Sequence, residues 1–101
     1  MQEIVRALEE MGASADEVAA ALRAERVQGM RDSTSFMNPI VRYLNRSLNI
    51  GGRLEVGAGG TTLHLMLGGK VKQVPLPIAV QGFLDCFHRG LYPELEAKDK
   101  S

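Results

Sequence analysis

The most reactive groups in this chain are one cysteine, Cys86, and two histidines, His64 and His88. A thiol beside an imidazole is the arrangement of a nucleophile with its base. Cys86 and His88 stand two positions apart, which on a helix is a rotation of about 200°, so their side chains diverge. The base would have to be His64, which alternates with Thr62 and Met66 opposite the face formed by Leu63, Leu65 and Leu67. If the helix bearing Cys86 covers the leucine face, thiol and imidazole lie on opposite sides of a sheet. Asp85, beside Cys86, does not complete the three or four convergent ligands that a metal site wants. These residues predict no catalytic set, no cofactor and no metal, and the sequence reads as that of a non-enzymatic protein.

Two glycine runs suggest phosphate loops and fail on context. A dinucleotide fingerprint needs G-x-G-x-x-G between a strand and a helix. Gly57-Ala58-Gly59-Gly60 joins strand to strand, and Gly68-Gly69-Lys70 lacks phosphate-loop spacing. Both are expected to be hairpin turns. Arg42 and Arg46, four apart, define one helix face, and segment 14–48 reads as a helix-turn-helix candidate for nucleic acid. The connection 27–38 is far longer than the usual three or four residues of that motif. Tyrosine and arginine are typical interface anchors. The candidate contact residues are therefore Arg42, Tyr43, Arg46, His64 and Tyr92, together with the sheet edges.

These residues need elements to position them. Residues 53–74 form the one convincing β region. Leu54 and Val56 alternate with Arg53, Glu55 and Gly57, and Leu63, Leu65 and Leu67 alternate with Thr62, His64 and Met66, as strands with one buried face do. The alternation predicts Leu54 opposite Leu63 and Val56 opposite Thr61. For the second turn, a two-residue Gly68-Gly69 loop would bring Lys70 and Lys72 onto the leucine face. A three-residue loop through Lys70 avoids that cost and predicts Leu67 opposite Val71, with a bulge near Lys72 and Gln73. Pro75 and Pro77 end the strand.

Helical patterns flank this ribbon. Ile4, Val5, Leu8 and Met11 space a first helix over residues 2–11, with Gly12 as its stop. Ser14 and Glu17 make a capping box for a second, running to about Arg26 with Val18, Leu22 and Ala21 inward. Residues 27–35 read as a loop. Asn38 caps a third helix that Pro39 begins, with Ile40, Val41, Leu44 and Leu48 on one side. Pro77 starts the last helix, where Val80, Phe83, Leu84, Phe87 and Leu91 fall on one stripe and Gly90 is the stop. Leu91 to Leu95 reads as an ordered tail and residues 96–101 as frayed. The expectation is one α+β domain over residues 1–95, with three N-terminal helices, a three-stranded antiparallel meander, and a C-terminal helix packed on the sheet.

The chain has 101 residues, of which 45% are hydrophobic, enough for one modest core. Its formal net charge is zero, so nothing draws it as a whole to nucleic acid or anionic membrane. Residues 1–30 carry three Arg against six acids, while residues 31–90 carry seven basic side chains against three acids. The acidic start and the basic middle are expected to pair within the chain or between copies. A pI near 6.7 is low for a DNA-binding protein. One cysteine and no apolar leader or spanning run predict a cytoplasmic protein away from membranes.

The blocks ADEVAAALRAERVQG, NPIVRYL and VPLPIAVQGFLDCFHRGLYPEL resemble those of small, roughly hundred-residue bacterial proteins with no assigned activity. The likeness spans most of residues 16–95 and consists of proline-started helices and a final G-x-YPEL. Those proteins often carry a cysteine before the proline where this chain has Asn38. The resemblance implies a bacterial cytoplasmic protein and supplies no mechanism. The expected function is a protein-interaction module taking a protein partner or a second copy of itself, with a small nucleic-acid-binding regulator as the alternative.

Overall fold

The computed structural model describes residues 2–31, 37–48, 50, 52–57 and 60–96. Helices α1 (Gln2–Glu10), α2 (Ala15–Ala24) and α3 (Pro39–Ser47) precede strands β1 (Arg53–Val56), β2 (Thr62–Leu67) and β3 (Lys70–Pro75). Helix α4 (Ile78–His88) and a 3-10 turn (Pro93–Leu95) follow. The architecture is α+β, with a three-stranded antiparallel sheet in the order β1-β2-β3.

Local chemistry sets the helix ends. Ser14 Oγ accepts the Glu17 N–H at 3.2 Å, and the Glu17 carboxylate accepts the Ala13 N–H at 2.8 Å. This is a capping box whose return bond reaches one residue further back than usual. Asn38 Oδ1 accepts from Ile40 and Val41 at 2.9 and 3.4 Å, and Asn38 is itself fully buried. α2 and α4 close with the same motif. In α2, Arg26 N–H bonds Arg23 O and Val27 N–H bonds Leu22 O; in α4, Gly90 N–H bonds Phe87 O and Leu91 N–H bonds Cys86 O. The left-handed residue of this motif is Gly90 in α4, at φ 80°, and a non-glycine, Arg26, in α2, at φ 56°.

Helix α1 lies against α3, α3 lies beside β1, and α4 lies closest to α2. The α2–α4 approach is made by small residues: a Cβ on Gly82 would stand 3.8 Å from Ala15 Cβ. One core joins Leu8, Leu22, Ile40 and Leu44 to Leu54, Val56, Leu63, Leu65 and Val74 of the sheet, and to Val80, Phe83, Leu84 and Phe87 of α4. Each large side chain so buried contributes about 1.5–3 kcal/mol. Phe83 stacks on Phe87 at 5.6 Å and on Tyr92 at 5.2 Å. Val5 is exposed although it shares the α1 spacing, and Leu91 lies past the end of α4 and is exposed. Within α2, Ala19 is buried and Ala21 only half-buried.

The sheet register departs from the sequence expectation in both strand pairs; residues 58 and 59 of the first turn lie outside the described residues. Leu54 pairs with Leu65 and Val56 with Leu63, two residues from the expected alignment. The second turn is the two-residue loop, with Gly68 and Gly69 both left-handed at φ 60° and 79°. Leu67 faces Lys70 and Leu65 faces Lys72, and the pairing runs unbroken to Thr62 and Pro75, so there is no bulge between them. The lysines do lie on the leucine face, but the core stops short of them: Leu67, Lys70 and Lys72 are all exposed at the tip. Burying a lysine costs, and neither Lys70 nor Lys72 is buried.

The C-terminal segment is strapped down. Gly29 N–H bonds Leu95 O at 2.9 Å, Gly29 and Glu96 form a parallel bridge, and Arg31 reaches Glu96 at 3.1 Å. Gly29 has no room for a side chain, since a Cβ there would lie 2.5 Å from Met37 O. Glu96, expected in the frayed tail, is therefore held; residues 97–101 and most of the expected loop end, 32–36, lie outside the described residues.

Candidate interaction surface

Four of the five candidate contact residues are engaged within the fold. Arg42 Nη1 donates to Gln28 O and Arg46 Nη1 to Glu25 O, both at 2.8 Å. These carbonyls lie at and just past the α2 C-terminus, where cations are favoured. The two arginines thus stitch α3 to the connection leaving α2. Tyr43 is half-buried against the core. Tyr92 is 8% exposed, stacks on Phe83, and donates its hydroxyl hydrogen to Asp16 Oδ1 at 2.8 Å, while Arg23 lies 5.9 Å above its ring. Burial first, then the bond to Asp16, pushes the Tyr92 pKa up to about 12.

His64 faces the outer side of the sheet, where Thr62 Oγ1 lies 3.3 Å from its Nε2. Cys86 packs at the margin of the core on α4. His64 is on the face of β2 away from the buried leucines and Cys86 packs against the core, and no contact joins the thiol to the imidazole among the described residues. Among the described residues no group of three or more His, Cys, Asp or Glu could hold a metal ion. A hollow of about 450 Å³ is lined by Arg23, Arg26, Val27, Gln28, Glu94 and Leu95. Arg23 is already committed there, 2.8 Å from the Glu94 carboxylate, which it holds below the ordinary carboxylate range.

Strand β3 is largely uncovered, although Ile78 at the start of α4 is more exposed than its Val71. Only Val74 of its six residues is buried. Val71 is 60% exposed and Leu67 46%, large values for apolar side chains in a sheet. The ladder fixes which backbone groups are open. Leu76 N–H bonds Thr61 O at 3.0 Å, so the hydrogen-bonded pairs alternate from there: Leu63 with Val74, Leu65 with Lys72, Leu67 with Lys70. Val71, Gln73 and Pro75 alternate with these and turn their backbone groups outward. Pro75, with no N–H, sits where none is needed by the sheet. At the other edge Gly57 N–H bonds Thr62 O at 2.9 Å, which turns the outward groups of β1 to Leu54 and Val56, and α3 lies beside that strand.

Within the chain, no ion pair joins the acidic start to the basic middle among the described residues. The ion pairs are Arg23–Glu94, Arg31–Glu96 and Asp85–Arg89. Lys70, Lys72 and Arg53 have no such partner among the described residues. The sequence expectation named the sheet edges but not these residues. Their signal is the run KVKQVP, in which alternate lysines and a closing proline mark an edge strand. No helix among the described residues is long and apolar enough to cross a membrane. No protein-family model, curated protein or solved structure matches the chain.

Proposed function

We propose that this chain is a non-enzymatic protein-interaction module, a bacterial cytoplasmic protein that docks another polypeptide on its sheet. The reading rests on one observation: β3 leaves its outer edge and its apolar and basic side chains uncovered, while most other candidate groups are engaged inside the fold. An open strand edge is a template for a further strand, with main-chain bonds giving affinity and alternate side chains giving selectivity. The occupant is another protein or a second copy of this chain. The test is capture of a partner from native lysate on the immobilised protein, with sedimentation of the purified chain across a range of concentrations. A specific co-purifying protein, or a concentration-dependent dimer, supports the reading. A monomer that captures nothing overturns it.

A further inference from the structure

We propose that the β3 edge takes an extended, acidic segment of a different protein as an added antiparallel strand, and that it rejects its own copy. This deepens the interaction reading and rests on it. The outward donors are the N–H groups of Val71 and Gln73, with the carbonyls of Val71, Gln73 and Pro75 as acceptors. On one side of this edge stand Lys70 and Lys72, exposed and without an anionic partner among the described residues. On the other stand Val71, beside Met66, and Gln73, beside His64.

The β3 of a second copy fits this edge badly in its central alignments. Antiparallel pairing centred on Lys72 sets one Lys72 directly against the other. Centred on Val71, it sets Lys70 against the Lys72 of the second copy. Centred on Gln73, it sets Val71 against Pro75, which has no N–H to give. A parallel copy in register lays each lysine beside its equal. Like charges directly across a strand pair repel, and opposite charges attract. Lysines on an exposed edge block pairing with like and neutral strands. An acidic strand lifts the block. The complementary segment therefore carries Asp or Glu at alternate positions, next to Lys70 and Lys72. The positions between them are apolar and lie beside Val71.

The geometry also assigns the amides. In an antiparallel pair, residues that exchange hydrogen bonds share a face. The amides bonded to Val71 and Gln73 therefore belong to the apolar positions of the visiting strand, not to its acidic ones.

The probe is a synthetic peptide of alternating glutamate and valine, with fluorescence anisotropy on the full chain as the readout. Binding is expected to weaken as salt rises. It is expected to fall by about tenfold or more in the double variant Lys70→Glu, Lys72→Glu, whose positions are exposed and whose fold is checked by circular dichroism. N-methylation of the valine amides is expected to abolish binding and N-methylation of the glutamate amides to leave it. Binding that survives both methylations, or is lost with both, overturns the added-strand geometry. Equal binding of single-stranded DNA of matched charge reduces the edge to a general polyanion contact and also overturns it. No binding of the peptide by the folded chain does the same. A native partner still captured by the charge-reversed variant would leave the interaction module standing and remove this edge as its site.

Discussion

The Tyr92 hydroxyl and the Asp16 carboxylate meet at 2.8 Å, joining the residue before the 3-10 turn Pro93–Leu95 to the first turn of α2. The contact is one stitch in a seam. Arg23 reaches Glu94, Gln28 Nε2 reaches Glu94 O at 3.1 Å, and Gly29 reaches Leu95. The seam lays Tyr92 on Phe83 and covers the aromatic end of α4. Helix α2 and residues 92–95 thus close one core together, which is why the YPEL segment is ordered without being part of a long helix.

This seam has an alkaline weakness. The Tyr92 pKa stands at about 12 in the folded chain against 10.0 ordinarily, because burial and then Asp16 disfavour the phenolate. A raised pKa in the folded state favours the neutral form. Its contribution to stability is complete below pH 10 and is lost as pH rises from 10 through 12. Ultraviolet titration is expected to show one phenolate forming near pH 12, and Tyr92→Phe to remove that step. The same variant is expected to lose about 0.5–1.5 kcal/mol at neutral pH, since exposed Asp16 regains water. A denaturant titration checks the loss; an unchanged late step in Tyr92→Phe would assign it elsewhere.

The two matched helix ends supply the next expectation. Arg26 occupies the left-handed position that Gly90 fills in α4. A Cβ-bearing residue there costs about 1–2 kcal/mol, partly offset by the entropy that glycine loses on folding. Arg26→Gly is therefore expected to stabilise the chain by roughly 0.5–1 kcal/mol. Arg26→Ala keeps the strained φ and is expected to bring no gain. Thermal unfolding of the two variants separates backbone strain from loss of charge, with about 4–8 °C per kcal/mol for a domain of this size.

The elements were legible and the register was not, for a reason visible at Leu54, Lys70 and Lys72. Period-two alternation tells which residues share a face, and a shift of two residues preserves every face. Leu54 opposite Leu65 therefore satisfies the pattern as well as Leu54 opposite Leu63 does. At the second turn, keeping the lysines off the leucine face presupposes that this face is buried along its whole length. How far the core reaches along a strand is a tertiary fact, and here it ends between Leu65 and Leu67. The same limit hid the roles of Arg42 and Arg46. Spacing put them on one face of α3, but nothing local revealed the carbonyls of Glu25 and Gln28 waiting there.

Those two arginines are expected to act on stability rather than on nucleic acid. Arg42→Ala and Arg46→Ala each remove a bond to a carbonyl near a helix C-terminus, and each is expected to cost about 1 kcal/mol. Duplex DNA at low salt is expected not to bind, by anisotropy, in the parent or in either variant. Salt-sensitive binding that both substitutions weaken, at unchanged melting temperature, would instead bring back the helix-turn-helix reading of residues 14–48.

The turn at Gly68 and Gly69 gives the sharpest test of the sheet itself. Both residues have positive φ, the signature of a two-residue turn whose twist matches its strands. Asparagine tolerates the first position and suits it, so Gly68→Asn is expected to be neutral or stabilising. Gly69→Ala meets no neighbouring atom and still holds alanine at φ 79°, so its cost is conformational alone, about 1 kcal/mol. Inserting one residue between Gly69 and Lys70 would shift β3 by one and carry Val74 out of the core while aiming Gln73 inward. That insertion is expected to cost far more than either substitution, by denaturant titration. A small cost for the insertion and a large one for Gly68→Asn would mean that a three-residue loop, with Leu67 opposite Val71, forms in solution.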